Sequence, residues 1–174
     1  MAFISISITK NHPLILGKGG FGRQLADWLS AEGWGEAEFL DDNAPGCAGG
    51  LRDYADPKLL KPGRPAFVAL GDNPLRVELL QKLAAAGYNT PVFISDMAAV
   101  SPSAVLEPGC VILPQAYVGA DAHLGVGCII NGGAIVDHDA VLGRGVHVAP
   151  GGIVKAGAEV EALTKVDSGE IIKK

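Results

Sequence analysis

The sequence predicts an α/β N-terminal Rossmann-like half domain followed by a left-handed parallel β-helix of hexapeptide repeats. Three observations carry that reading. An aliphatic residue recurs at every sixth position from Val100 to Ile172. A second row, four positions after each, is almost wholly small. Near the other end, a glycine-rich turn separates a short apolar run from an amphipathic stretch. With 24 glycines and 6% aromatic residues in 174, the composition suits a regular β structure with many tight turns better than a helical bundle.

In chain order, the first element is the apolar run Pro13 to Leu16, which ends in Gly17-Lys18-Gly19-Gly20-Phe21-Gly22. Arg23 to Leu29 follows with apolar residues at helical spacing. Strand, glycine loop and helix in this order match GxGxxG, which brings a helix N-terminus up to a phosphate. About twenty residues on, a second strand at Glu38-Phe39-Leu40 leads into Asp41-Asp42-Asn43, where an acidic residue can meet a ribose or base. A third strand, Pro65 to Leu70, ends at Gly71-Asp72-Asn73. A helix over about 74–86 follows, with Gly87 as its stop. A fourth strand, Pro91 to Ile94, completes β-α-β-β-α-β order, one mononucleotide half of a doubly wound sheet. This unit spans residues 1–95.

Residues 96–174 form the second unit, of about four coils. The six-step row is Val100, Leu106, Ile112, Val118, Leu124, Ile130, Val136, Leu142, Val148, Val154, Val160, Val166 and Ile172. The small row runs Ala104, Cys110, Ala116, Ala122, Cys128, Ala134, Ala140, Val146, Gly152, Ala158 and Thr164. Neither a lone helix nor simple strand alternation has this period. A triangular solenoid does: the branched residue fills the prism, the small one faces inward where little room is left, and three faces make a coil of about 18 residues. Cys110 and Cys128 should therefore stack inside adjacent coils as core filler rather than as metal ligands or a disulfide.

The net charge of −5 argues against a general nucleic-acid or membrane surface. No apolar stretch reaches the length of a membrane span. Three cysteines without CxxC spacing, and no basic segment ahead of a long apolar run, suggest a cytoplasmic protein without a signal peptide.

These features together resemble the sugar O/N-acyltransferases of the sialic acid O-acetyltransferase type, including the bacillosamine-pathway N-acetyltransferases. The resemblance covers nearly the whole chain. It rests on the glycine loop 17–22, Phe39-Leu40-Asp41-Asp42, Gly71-Asp72-Asn73 with Arg76, Ile129-Ile130-Asn131-Gly132-Gly133-Ala134 running into Asp137-His138-Asp139, and His147-Val148-Ala149-Pro150-Gly151. The family carries His at the position of Phe21, Gly at that of Ala156, and more coils.

The resemblance implies acetyl-CoA as co-substrate, an amino or hydroxyl group of a nucleotide-sugar (a UDP-amino-sugar foremost) as acceptor, a homotrimer with sites between subunits, and no metal. It implies sugar-nucleotide contacts at Gly17, Lys18, Gly19, Gly20, Phe21, Gly22, Asp41, Asp42, Gly71, Asn73 and Asn131. His138 becomes the general base, which suits an imidazole beside a carboxylate. Asp139 would assist it, with Asp137 as rival. His147 would contact the acetyl end of CoA, and a backbone N–H near Ala156 or Gly157 would steady the oxyanion. Blander readings stand beside these. His123 and His12 read as surface residues, and Asp72 as a helix cap. A non-catalytic nucleotide-sugar-binding, trimerising protein and a zinc-dependent β-helix enzyme of γ-carbonic-anhydrase type are the rival functions, the latter needing three converging imidazoles.

Overall fold

A computed structural model of the chain describes residues 12–59 and 61–174. Its α/β half has a three-stranded parallel sheet. Strand β1 (Leu14–Leu16) lies between β2 (Glu38–Leu40) and β3 (Ala66–Val68), with Leu14 opposite both Glu38 and Ala66. Helix α1 (Gly20–Ala31) buries Gly22, Leu25 and Leu29, while α2 (Asn73–Ala85) buries Val77, Leu79, Leu80 and Leu83. The sheet is apolar on both sides, as a parallel sheet between two covering layers must be. Leu14 and Leu16 pack with Leu79 and Leu83, and Ile15 packs with Leu25, Leu29 and Phe67.

Fourteen two-residue strands follow. The first face of the prism holds β4 (Phe93–Ile94), β7 (Val111–Ile112), β10 (Ile129–Ile130), β13 (His147–Val148) and β16 (Lys165–Val166). The second holds β5 (Ala99–Val100), β8 (Tyr117–Val118), β11 (Ile135–Val136), β14 (Ile153–Val154) and β17 (Ile171–Ile172). The third holds β6 (Val105–Leu106), β9 (His123–Leu124), β12 (Val141–Leu142) and β15 (Glu159–Val160). All pairings are parallel and join residues eighteen apart, such as Ile129 with Val111 and His147. This is the left-handed parallel β-helix expected, with four complete coils and part of a fifth.

Strand 91–94 departs from expectation. Its core, β4, hydrogen-bonds to β7 of the prism and not to the α/β sheet, which has three strands among the described residues. Ile94 stands six residues before Val100, so it continues the prism's own period.

Both interior rows are where the period puts them. Ile112, Val118, Leu124, Ile130, Val136 and Val148 are fully buried with Cys110, Ala116, Ala122, Cys128, Ala134 and Ala140. Each such branched side chain contributes about 1.5–3 kcal/mol of burial, so the row repeated coil on coil is the main source of stability. The thiols of Cys110 and Cys128 donate to the carbonyls of Gly125 and Gly143, each at 3.2 Å.

A third row marks the corners. Positions 109, 115, 121 and every sixth thereafter to 169 all have positive φ. Glycine fills seven of these eleven; Gln115, Asp121, Asp139 and Leu163 fill the rest. Glycine adopts that geometry without steric cost, so each exception calls for its own reason.

The prism's first face carries the α/β half. Val111, Leu113, Ile129 and Phe93 share a core with Ile15, Leu25 and Phe67. Helix α2 lies along the corner where the third face turns into the first, so close that a Cβ on Gly127 would stand 2.6 Å from Leu80 Cδ1 and one on Gly145 2.7 Å from Val77 Cγ2.

Candidate active site

The glycines of the first loop divide into two kinds. Gly17 has φ +100 and packs on Ala69 and Leu70, and a Cβ on Gly22 would overlap the Gly17 carbonyl. Those two let the helix close onto the strand. Gly19, the N-cap of α1, and Gly20 have nothing within 4 Å of an added Cβ and no positive φ. No contact among the described residues explains them; open space at a helix N-terminus is what an approaching phosphate requires. Gly71, at the end of β3, is likewise clear.

The acidic pair serves partly as scaffolding. One oxygen of Asp41 accepts from the Lys18 amide at 2.7 Å, and the other accepts from the amides of Asn43 and Ala44, both at 2.9 Å. These backbone donors hold its carboxyl below the usual carboxylate range. Asp42 Oδ1 accepts from Leu51 N at 2.8 Å, which leaves Oδ2 for a ligand. The Lys18 ammonium is turned onto the carbonyls of Pro45 and Gly46. The sequence offered Asp41 and Lys18 as ligand contacts; the fold spends both of Asp41's oxygens and the Lys18 side chain on the loop itself. Asp72 caps α2 by accepting from Leu75 N, as its position suggested.

Asn73 also differs from expectation. It is 6% exposed, and its amide donates to the carbonyls of Leu163 (2.8 Å) and Thr164 (3.3 Å) on the prism. Its Oδ1 is buried and has no partner among the described residues. Asn131, at the corner between the first and second faces, turns its Oδ1 onto the next amide, Gly132 N, at 2.8 Å.

On the prism, His138 projects from the corner between the second and third faces. Its Nδ1 lies 2.7 Å from Asp139 Oδ2, and Asp137 Oδ1 accepts from the His138 amide. The carboxylate partner of the ring is therefore Asp139, at a left-handed corner position, and Asp137 shapes the backbone. The hydrogen bond that the imidazole donates to Asp139, then the charge of Asp137, raise its pKa above the ordinary value. One coil back, a Cβ on Gly119 would stand 2.5 Å from His138 N, so glycine there leaves the corner its shape.

Of the two expected oxyanion donors, only one is available. Gly157 N donates to the His138 carbonyl at 3.0 Å and is spent. Ala156 N, one coil after His138, donates to no group among the described residues.

His147 sits in the opposite environment, on the first face beneath the α/β half. Both ring nitrogens are buried without a partner among the described residues, and the ring lies 6.5 Å from that of Phe21. Burial, followed by the charges of Arg76 and Lys165, pushes its pKa down to about 4. His138 and His147 are thus on opposite sides of one prism and do not converge within a chain. His123 is a half-exposed partner of Glu107 at 3.2 Å.

Arg76, which the resemblance quotes, received no role from the sequence. Its guanidinium is fully buried and donates to the carbonyls of Gly127, Gly145 and Leu70. Its sequence signal was a cation between Leu75 and Val77, three residues after Asn73 on a face that is otherwise buried. Desolvation pushes its pKa down to about 10, and the group stays charged near neutral pH.

Comparison with known proteins agrees with this architecture. The PglD N-terminal domain family matches residues 14–83. The acetyltransferase domain of PglB from Neisseria gonorrhoeae FA1090 is 32% identical, with a TM-score of 0.78 over 93% of this chain and 87% of that one. The same domain has been solved in complex with acetyl coenzyme A, with a TM-score of 0.76. PerB from Caulobacter crescentus, solved with CoA and GDP-perosamine, is 28% identical, with a TM-score of 0.82 over 94% of this chain and 89% of that one. On its 32% identity to the PglB domain over 93% of its length, with the PglD model matching residues 14–83, this chain belongs to the hexapeptide-repeat sugar acyltransferases.

Proposed function

We propose that the protein transfers the acetyl group of acetyl-CoA to an amine of a nucleotide-activated sugar, with His138 as general base. The observation that carries the reading is the His138–Asp139 pair. An Nδ1–H facing Asp139 Oδ2 leaves Nε2 as the acceptor, at an exposed corner, with the imidazolium that forms beside a carboxylate. The sugar nitrogen attacks the thioester carbonyl, His138 Nε2 takes its proton, and the tetrahedral intermediate expels the CoA thiolate, which is protonated in turn. The free N–H of Ala156 is the donor for the oxyanion, a contact worth about 3 kcal/mol when well placed. The acetyl-CoA complex of the PglB domain and the perosamine bound by PerB support thioester and amino sugar as the reactants.

The nucleotide end belongs at Gly19, Gly20, Gly71 and the free oxygen of Asp42, where the chain leaves space and hydrogen-bonding capacity unused. We assign the acetyl end of CoA to the unpartnered ring nitrogens of His147. We read the assembly as a homotrimer, as the resemblance implies, and the placement of these groups supports sites shared between protomers. The α/β half covers the first face, and His138 projects from the corner opposite. One protomer's His138 therefore needs the sugar held by another. The two faces meeting at His138 also expose apolar rows, with Tyr117 43%, Ile135 37% and Ile171 48% on one and Val105 53% and Val141 43% on the other. A neighbour seated there would remove them from water. None of the described helices is long and apolar enough to cross a membrane.

The test is to mix the protein with acetyl-CoA and a panel of UDP- and GDP-linked amino and hydroxyl sugars, reading free thiol. Thiol release dependent on one amino sugar is the expected result. Sugar binding without CoA binding would return the protein to a non-catalytic binding role.

A further inference from the structure

The first and second halves are joined along one corner of the prism by a ladder of carbonyls. Gly127, Gly145 and Leu163 occupy equivalent corner positions eighteen residues apart, with φ of +70, +67 and +66. Arg76 Nε donates to Gly127 O at 2.9 Å, and its Nη2 donates to Gly145 O at 2.7 Å. Asn73, one turn earlier on α2, donates to Leu163 O at 2.8 Å. Two side chains on one helical turn thus grip three successive coils. The remaining guanidinium donor, Nη1, reaches Leu70 O at 2.8 Å, at the end of β3. Leu70 and Ala69 in turn pack against Gly17, at the root of the glycine loop.

Packing alone does not call for this arrangement. Arg76 is fully buried, and its three hydrogen-bonding partners are neutral carbonyls, with no carboxylate among them. Desolvating a cation this way costs more than burying an apolar side chain of similar volume. What an apolar side chain lacks is the planar fork, with donors fixed in several directions at once. Lysine concentrates its donors on one nitrogen, which cannot meet three carbonyls so disposed.

We propose that Arg76 is a positioning residue for acetyl transfer: by holding two coil corners and the end of β3 together, it sets the height of the sugar-bearing loops over the prism. This rests on the function proposed above, in which those loops present the acceptor to a neighbour's His138. Alignment of two reactants held by different chains is sensitive to displacements of about 1 Å, which can cost on the order of 100-fold in rate.

The experiment compares intact wild-type protein with Arg76→Met and Arg76→Lys. It measures the affinity of nucleotide sugar and of acetyl-CoA by calorimetry, and kcat with both saturating. The expected result is a fall in kcat of about 10–100-fold in both variants, with each Kd within about twofold of wild type. A folded Arg76→Met protein with wild-type kcat overturns the proposal. So does a loss of kcat matched by an equal loss of sugar affinity, which would make the residue part of the binding site. Should neither variant fold, Asn73→Ala loosens the same ladder at its third rung. A kcat drop of about threefold or more is expected there, and an unchanged value overturns the proposal. Amide exchange of residues 17–22 reads the clamp without turnover: faster exchange in Arg76→Met is expected, and unchanged protection counts against it. If wild-type protein releases no thiol with any sugar, the proposed function has failed instead, and the exchange result separates the two failures.

Discussion

Two histidines nine residues apart have been given opposite surroundings by the same repeat. Half a coil separates them, and half a coil takes the chain from an open corner to a covered face. At the corner, His138 has 58% of its side chain in solvent, a carboxylate on Nδ1, and a raised pKa. On the face, His147 has no partner for either nitrogen among the described residues and a pKa near 4. The first environment favours gaining a proton, and the second forbids it near neutral pH. The lesson is that in a solenoid the phase around the prism, rather than distance along the chain, decides what a side chain can do.

The comparison is broken most directly at the corner. His138→Ala should lower turnover about 100- to 10,000-fold while leaving nucleotide-sugar affinity unchanged; acetylation kinetics with calorimetry decide it. A near-normal rate would make the corner histidine ordinary. Asp139→Asn is the next step down. Without the carboxylate the imidazole loses its main reason for a raised pKa, so the acidic limb of kcat/KM should move to lower pH, with a fall in rate of about tenfold. An unmoved limb would shift the credit to Asp137. At the glycine loop, a Cβ added at Gly20 meets nothing within 4 Å among the described residues, so Gly20→Val should keep the fold while sugar affinity drops by about tenfold, or about 1.4 kcal/mol.

The smallest effect belongs to His147 and is read in stability. Its folded pKa lies below its unfolded value, so the unfolded chain binds the proton first as pH falls. Stability from this group is whole above about pH 6.5 and is lost as pH falls toward 4. His147→Phe should flatten that part of the melting-temperature profile. An equal slope in the variant would mean that the ring is hydrated and the contrast overstated.

The prism was legible because every coil repeats one demand. An interior that admits a branched residue and then a small one must do so at each turn, and Val100 to Ile172 shows it. The corner row was less legible. Left-handed geometry recurs every six residues, but Gln115, Asp121, Asp139 and Leu163 stand where glycine would announce it. Strand 91–94 was assigned to the wrong sheet because a short apolar run carries no mark of its partner, although Ile94 is in step with the prism. Within the site, His138 with Asp139 could be read from adjacency, whereas Asp41 could not. Whether its oxygens face a ligand or the amides of Lys18, Asn43 and Ala44 depends on loops twenty residues apart meeting in space. The pattern GxGxxG likewise does not say that Gly17 and Gly22 serve packing while Gly19 and Gly20 are left clear.

The close seat of α2 on the prism carries a consequence for how such a protein can change. Leu80 fills the space that a side chain at Gly127 would need, and Val77 does the same at Gly145. A drift toward larger residues at either coil position would have to be answered by a smaller one on the helix, so these pairs can only vary together. For the same reason, a chimera that moves this α/β half onto another hexapeptide scaffold should accept it only where the recipient has glycine at both corners.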